Sequence, residues 1–191
     1  MDRLKRREVL AQVLEARGDA LVVPGLGTST YDLFAVSPSD NNAYIWNAMG
    51  LTVSTAIGLA IAQPDRRVLV VTGDGEMMMG IGSLSVVAAQ KLKNLSILVM
   101  DNEMFEETGK QTGLSAVTAD ICKIAEGSGI EKTMFVSTGN EVARLGKFLL
   151  EEDGPVLAVA KVGPSTDKPI FPSMDGPGIV KTVRASVLGK A

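Results

Sequence analysis

Two apolar runs lie about one helix apart near the middle of the chain: Val68-Leu69-Val70-Val71 and Leu95-Ser96-Ile97-Leu98-Val99-Met100. Neither alternates strictly with polar residues, so each reads as a strand buried on both faces. Gly73-Asp74-Gly75 stops the first run, Asp101-Asn102 stops the second, and the stretch from Gly82 to Leu92 between them reads as a helix. Strand, helix and strand joined by short links make a βαβ unit, whose two strands run parallel.

The flanks repeat the theme. Leu4, Val9, Leu10, Val13 and Leu14 mark a first helix, closed by Gly18. Ala20 to Val23 is a short strand stopped by Pro24-Gly25, followed by the loop Gly25-Leu26-Gly27-Thr28-Ser29-Thr30 and a short helix near Tyr31 to Phe34. Met49 to Ala62 reads as a helix rich in small residues, which permit close backbone approach. Glu141 to Leu150 repeats the helix pattern and Val156 to Val162 the strand pattern. The expected fold is α/β: one domain over residues 1–162, with a mainly parallel sheet and helices on both faces. Residues 163–191 form a tail holding Pro164, Pro169, Pro172 and Pro177, with a last short helix near Ile179 to Leu188.

Composition narrows the chemistry. With 19 Lys and Arg against 22 Asp and Glu, the net charge is −3 and no dense basic run exists, which argues against nucleic acid as a partner. No apolar run reaches the ~18 residues of a membrane span. Met1 to Arg7 is not followed by a signal-peptide core, so a cytoplasmic location is expected. Cys122 is the single cysteine, which removes any disulfide framework or thiolate metal cluster. Histidine is absent from the chain, and with it every imidazole triad and His-based zinc site. Catalysis must run on carboxylates, hydroxyls, backbone groups or a cofactor.

Open parallel sheets bind ligands beyond the carboxyl ends of their strands. Gly27-Thr28-Ser29, Gly73-Asp74-Gly75 and Asp101-Asn102 all fall there. If the two central strands are neighbours, Asp74 and Asn102 leave the same edge about one strand spacing (~4.8 Å) apart. A carboxylate and an amide oxygen so placed can share one hard cation, with phosphate oxygens completing the shell. Taken singly, each motif is also an ordinary turn or helix cap. A regulatory nucleotide-binding module of Rossmann type is the rival. However, Gly25-Leu26-Gly27 lacks the third glycine, and Asn42 to Trp46 offers no acid to a ribose.

Gly73-Asp74-Gly75, then 26 residues (76 to 101), then Asn102 resembles the metal and diphosphate motif of thiamine diphosphate-dependent enzymes. Asn47-Ala48-Met49-Gly50 and Gly27-Thr28-Ser29 are similar to two further segments of that family. The stretch from Asp101 to Gln111 resembles the group formed by sulfopyruvate decarboxylase β subunits and phosphonopyruvate decarboxylase. The resemblance implies the pyrophosphate domain of the thiamine diphosphate-binding fold. It implies thiamine diphosphate and Mg2+ as cofactors, with Asp74, Asn102 and the Met104 carbonyl as metal ligands. Thr28, Gly73, Gly75 and the backbone of Glu76 would hold the diphosphate. Met49 would support the bend between the two rings, and its N–H and the Asn47 carbonyl would address the aminopyrimidine. Glu76 departs from many relatives, so its side chain is expected to point away from the diphosphate.

The resemblance also implies a missing piece. The glutamate that activates the cofactor belongs to a separate pyrimidine-binding domain, for which this chain has no room. A pyrimidine-domain α subunit is therefore expected as partner, in a heterotetramer of two of each, acting on a small anionic 2-oxo acid. Glu106 and Glu107 are expected just beyond the metal. Of the two, Glu107 is the expected catalytic proton carrier, because Glu107-Thr108-Gly109 continues the family-like segment, against the plainer reading of a solvated helix start. Lys110 is expected to attract the substrate's anionic end.

Overall fold

The computed structural model describes residues 3–46 and 48–189. In chain order the elements are α1 (Arg6–Leu14), β1 (Leu21–Pro24), α2 (Thr28–Val36), α3 (Thr52–Ala62), β2 (Val68–Gly73) and α4 (Asp74–Met79). There follow α5 (Ser83–Gln90), β3 (Leu95–Asp101), β4 (Met104–Phe105), β5 (Gln111–Thr112), α6 (Ile121–Gly127) and β6 (Lys132–Val136). The last three are α7 (Gly139–Leu150), β7 (Val156–Lys161) and α8 (Gly176–Leu188).

Five strands form one parallel sheet in the order β1-β2-β3-β7-β6, and β4 and β5 make a separate small hairpin. Alternate side chains of the sheet feed two cores. Val68 and Val70 of β2, with Leu95, Ile97 and Val99 of β3, pack against α3, α5 and α6. Leu69, Val71, Leu98 and Met100 pack on the other face against α1 and α7. Helices thus cover both faces, which is why the central strands read as unbroken apolar runs. Full burial of each such side chain is worth about 1.5–3 kcal/mol. Ser96, the polar member of its run, is fully buried and donates its hydroxyl to the carbonyl of Leu149.

Several boundaries differ from the sequence expectations. The first helix starts at Arg6 rather than Leu4, because Leu4 bridges to Val162, and Gly18 lies beyond its end at φ +53°. Thr28 to Thr30 are the first turn of α2 instead of loop, and Met49 precedes α3 in a turn. Asp74 opens a helix of its own, α4, before α5 begins. The β4–β5 hairpin, α6 and β6 carry no clear sequence pattern. Pro24 is tolerated in β1 because that strand is a sheet edge. Residues beyond β7 cross back over the amino-terminal region: Gly163 N–H donates to the Leu4 carbonyl (2.9 Å), Arg7 to the Lys168 carbonyl (2.8 Å) and Trp46 to the Ser173 carbonyl (2.9 Å). No described helix is long and apolar enough to cross a membrane.

Candidate active site

The register of β2 on β3 decides where the chemistry converges. Gly73 pairs with Met100, so Asp74 and Asn102 leave adjacent strands at the same carboxyl edge. Both are buried, at 2% and 4% exposure. Around them lies a cavity of about 140 Å³ lined by Thr28, Met49, Gly73, Asp74, Gly75, Glu76, Asn102, Met104 and Glu107, together with Arg6, Gly27, Ser29 and Glu106. Nine of the ten site residues expected from sequence thus line one space, although they come from four separate stretches of chain. The tenth, Asn47, lies outside the described residues.

Asp74 accepts a hydrogen bond at Oδ2 from the Ser115 hydroxyl (2.9 Å), and the same hydroxyl stands 2.8 Å from Asp101 Oδ1. Asp101 is held in turn by Lys161 Nζ at 2.7 Å. Burial, followed by the neighbouring charge of Asp101, pushes the Asp74 carboxyl above its ordinary value despite the Ser115 bond. The hairpin closes tightly on this carboxylate: a Cβ on Gly113 would stand 2.7 Å from Asp74 Oδ2, so only glycine fits there.

The Asn102 amide is fixed at both ends. Its Oδ1 accepts the Met104 N–H (3.1 Å), and its Nδ2 donates to Glu106 Oε2 (2.8 Å). Glu106 Oε1 also accepts the Ser165 N–H at 2.6 Å, which ties the tail to the site. Both Glu106 oxygens are therefore engaged. Glu107 differs: although exposed as a residue, its carboxyl turns inward against Gly27, whose φ of +70° disfavours any side chain there. Partial burial and then the charge of Glu106 raise the Glu107 carboxyl above its ordinary value, with Arg6 opposing them.

Glu76 is buried, and its side chain is occupied by donors: the Thr52 hydroxyl, the Thr72 hydroxyl (3.0 Å) and the Leu26 N–H (3.1 Å). It binds the loop after β1 to α3 and α4. Lys110 is exposed at the hairpin tip and is not among the lining residues, whereas Arg6 is. Arg6 and Ser115 were not evident as site residues from local motifs. A larger open groove of about 570 Å³ lies beyond Ser115, lined in part by Cys122, Phe135 and Lys161. It lacks the strand-end Asp74–Asn102 pair and the glycine turns, so the smaller cavity is the better candidate.

Residues 27–160 match the C-terminal TPP binding domain of the thiamine pyrophosphate enzymes. The chain belongs to that family. It is 32% identical over 187 residues to the sulfopyruvate decarboxylase subunit beta of Methanothermobacter thermautotrophicus, covering 97% of each protein. It is also 32% identical to the phosphonopyruvate decarboxylase of Streptomyces viridochromogenes, over 88% of this chain and 40% of that one. A solved structure of a candidate thiamin diphosphate-dependent enzyme from Mycobacterium smegmatis shares the fold. It superposes at a TM-score of 0.73 and 24% identity, over 85% of this chain and 32% of the other. The α/β sheet expected from sequence is thus the sheet of a thiamine pyrophosphate enzyme domain, and the Rossmann-module reading falls away.

Proposed function

We propose that this chain supplies the diphosphate- and metal-binding half of the active site of a thiamine diphosphate- and Mg2+-dependent decarboxylase. The observation that carries the reading is the convergence of Thr28, Met49, Asp74, Asn102 and Met104 on one strand-end cavity in a thiamine pyrophosphate family domain. The donors suit the metal: a carboxylate and an amide oxygen are the hard ligands Mg2+ prefers. Among the described residues no group of three or more acidic or thiol side chains could hold a metal by itself. A cation at Asp74 and Asn102 would draw its other ligands from a backbone carbonyl such as Met104 and from phosphate.

When bound, thiamine diphosphate supplies the electron sink for loss of carbon dioxide from a 2-oxo acid. The chain's own residues bind and orient. Thr28, Gly73, Gly75 and the backbone of Glu76 would hold the diphosphate, and Met49 would support the bend between the rings. Glu106 and Ser115 fix Asn102 and Asp74, leaving Glu107 as the acid free to carry a proton to the reacting carbon.

A separate pyrimidine-domain α subunit completes the site, most simply as a heterotetramer. Two facts support this. A relative matched along nearly its whole length is named as a β subunit. A cavity of about 140 Å³ is well below the roughly 300–1,000 Å³ of pockets that enclose an organic ligand. The substrate is a small anionic 2-oxo acid of sulfopyruvate or phosphonopyruvate type, and the location is cytoplasmic. To test the reading, the chain is combined with a pyrimidine-domain subunit and supplied with Mg2+, thiamine diphosphate and each oxo acid. Carbon dioxide release is expected from the pair, with negligible release from this chain alone. Full turnover by the single purified chain would refute the shared site.

A further inference from the structure

Arg6 is a charged residue where a core residue would be expected. It opens α1, and its side chain is only 3% exposed. Its Nε donates to Asp32 Oδ2 at 2.7 Å, and Asp32 is braced from the other side by Arg7 Nε at 3.0 Å. One terminal nitrogen, Nη2, is buried and meets no acceptor among the described residues. A buried guanidinium nitrogen without an acceptor is costly and rare, and it marks a place where an acceptor belongs.

The surroundings say what kind. Arg6 lines the cavity of Asp74 and Asn102, and it is the one cationic side chain among the lining residues, against the acids Asp74, Glu76, Glu106 and Glu107. An anionic ligand entering such a space needs a positive partner besides its metal ion. Guanidinium offers a planar fork that suits oxyanions, above all phosphate. Next to it, Thr28 and Ser29 form the first turn of α2, whose Gly27 cap has no side chain to satisfy the N–H groups there.

We propose that Arg6 binds the terminal phosphate of the cofactor's diphosphate, through the edge of the guanidinium that Asp32 leaves open. The inference rests on the reading of this cavity as the diphosphate site. The terminal phosphate is the choice because, lacking the ester link, it carries the greater charge and presents more free oxygens to the fork. Asp32 acts as the positioning residue that holds the guanidinium in place. Arg6 lies outside the matched segment 27–160, on the amino-terminal helix α1.

The test uses the full chain combined with its pyrimidine-domain partner and three probes in Mg2+: thiamine diphosphate, inorganic pyrophosphate and thiamine monophosphate, each titrated by calorimetry. Arg6→Lys keeps a cation for Asp32 but has no second nitrogen to offer. Its Kd for thiamine diphosphate and for pyrophosphate should rise about tenfold or more, the scale of a charged hydrogen bond, with thiamine monophosphate affinity unchanged. If that variant unfolds, the double variant Arg6→Met/Asp32→Leu removes both charges together and should lose the same diphosphate preference while remaining folded. Wild-type diphosphate affinity in either variant overturns the proposal, as does an equal loss for all three probes, which would make the role structural. A loss confined to the KM for the oxo acid in the reconstituted enzyme would assign Arg6 to the substrate and overturn it too. Asp74→Ala separates the two levels: loss there without loss in Arg6→Lys refutes Arg6 alone. Unchanged binding in Asp74→Ala, or none by the wild-type chain together with its pyrimidine-domain partner, refutes the reading beneath it.

Discussion

The Ser115 hydroxyl stands 2.9 Å from the Asp74 carboxylate, and it reaches there from a segment 41 residues later in the chain. The same oxygen is 2.8 Å from Asp101, so one hydroxyl proton serves two carboxylates at the end of the central strands. Groups that orient a metal ligand commonly change affinity by 10- to 100-fold when lost. Ser115→Ala should therefore weaken Mg2+-dependent binding of thiamine diphosphate by roughly 10-fold and leave the fold intact. Asp74→Ala should abolish that binding, because metal and diphosphate lose one anchor together. Asn102→Ala should be milder, since an amide oxygen carries no net charge. Calorimetry on the three variants checks the order, and an Asp74→Ala chain with unchanged affinity would remove the metal assignment.

Glu106 and Glu107 are adjacent in sequence and opposite in circumstance. Glu106 has both oxygens bonded, to Asn102 and to the Ser165 N–H, whereas the Glu107 carboxyl faces the cavity beside Gly27. In the reconstituted enzyme, Glu107→Gln should cut turnover at least ~100-fold, the usual scale for a lost acid–base group, with cofactor affinity nearly normal. Glu106→Gln should do the reverse, raising the cofactor Kd with a smaller effect on turnover at saturation. Measuring both constants for each variant decides it. Wild-type turnover in Glu107→Gln would return that residue to the solvated surface.

The contrast between these residues also marks what the sequence could express. Val68 to Val71 and Leu95 to Met100 were legible because a strand covered on both faces has no polar side to interrupt it. β6 was not: it is a sheet edge whose Phe135 is 53% exposed, so its composition follows solvent as much as core. α4 was missed because it starts on the aspartate of a turn-like Gly-Asp-Gly and lasts six residues. Two-residue strands such as β4 and β5 are too short for any period to register. The site followed the same rule. Asp74 and Asn102 could be paired by reasoning from βαβ geometry, but Ser115 and Glu106 act through contacts that no local spacing encodes. Arg6 did leave a trace, since it shares a helix face with Val9, Leu10 and Val13, where a charge is out of place.

The Arg6–Asp32 pair gives a stability prediction independent of ligand. Both side chains are almost wholly buried, at 3% and 2% exposure, between α1 and α2. Removing one member of a buried pair strands the other and typically costs about 3–5 kcal/mol. Asp32→Ala should therefore lose about that much in urea unfolding, and its thermal midpoint should fall by roughly 10 °C for a domain of this size. Replacing both charges with apolar residues should recover most of the loss. A fully stable Asp32→Ala chain would mean that Arg6 already finds another partner in solution.

The lone cysteine is placed to be inert. Cys122 sits half-buried in α6, its thiol directed at the Met134 carbonyl (3.7 Å), and burial followed by the charges of Asp120 and Glu126 pushes it up to about 11. Only the thiolate attacks an alkylating reagent. A thiol with its pKa near 11 holds about a hundredfold less thiolate at pH 8 than one at its ordinary value near 9. The sign is clear: alkylation should be slow at pH 8 and should climb about tenfold per pH unit until the thiol ionises, so long as the protein stays folded. Iodoacetamide labelling followed by mass spectrometry between pH 7 and 10 measures the slope, with a urea-unfolded sample as the reference. Asp120→Asn, which removes the larger of the two opposing charges, should speed labelling at every pH in that range. A folded chain that labels at pH 8 as fast as the unfolded one would show that α6 opens on the timescale of the reaction, or that the thiol is not buried in solution.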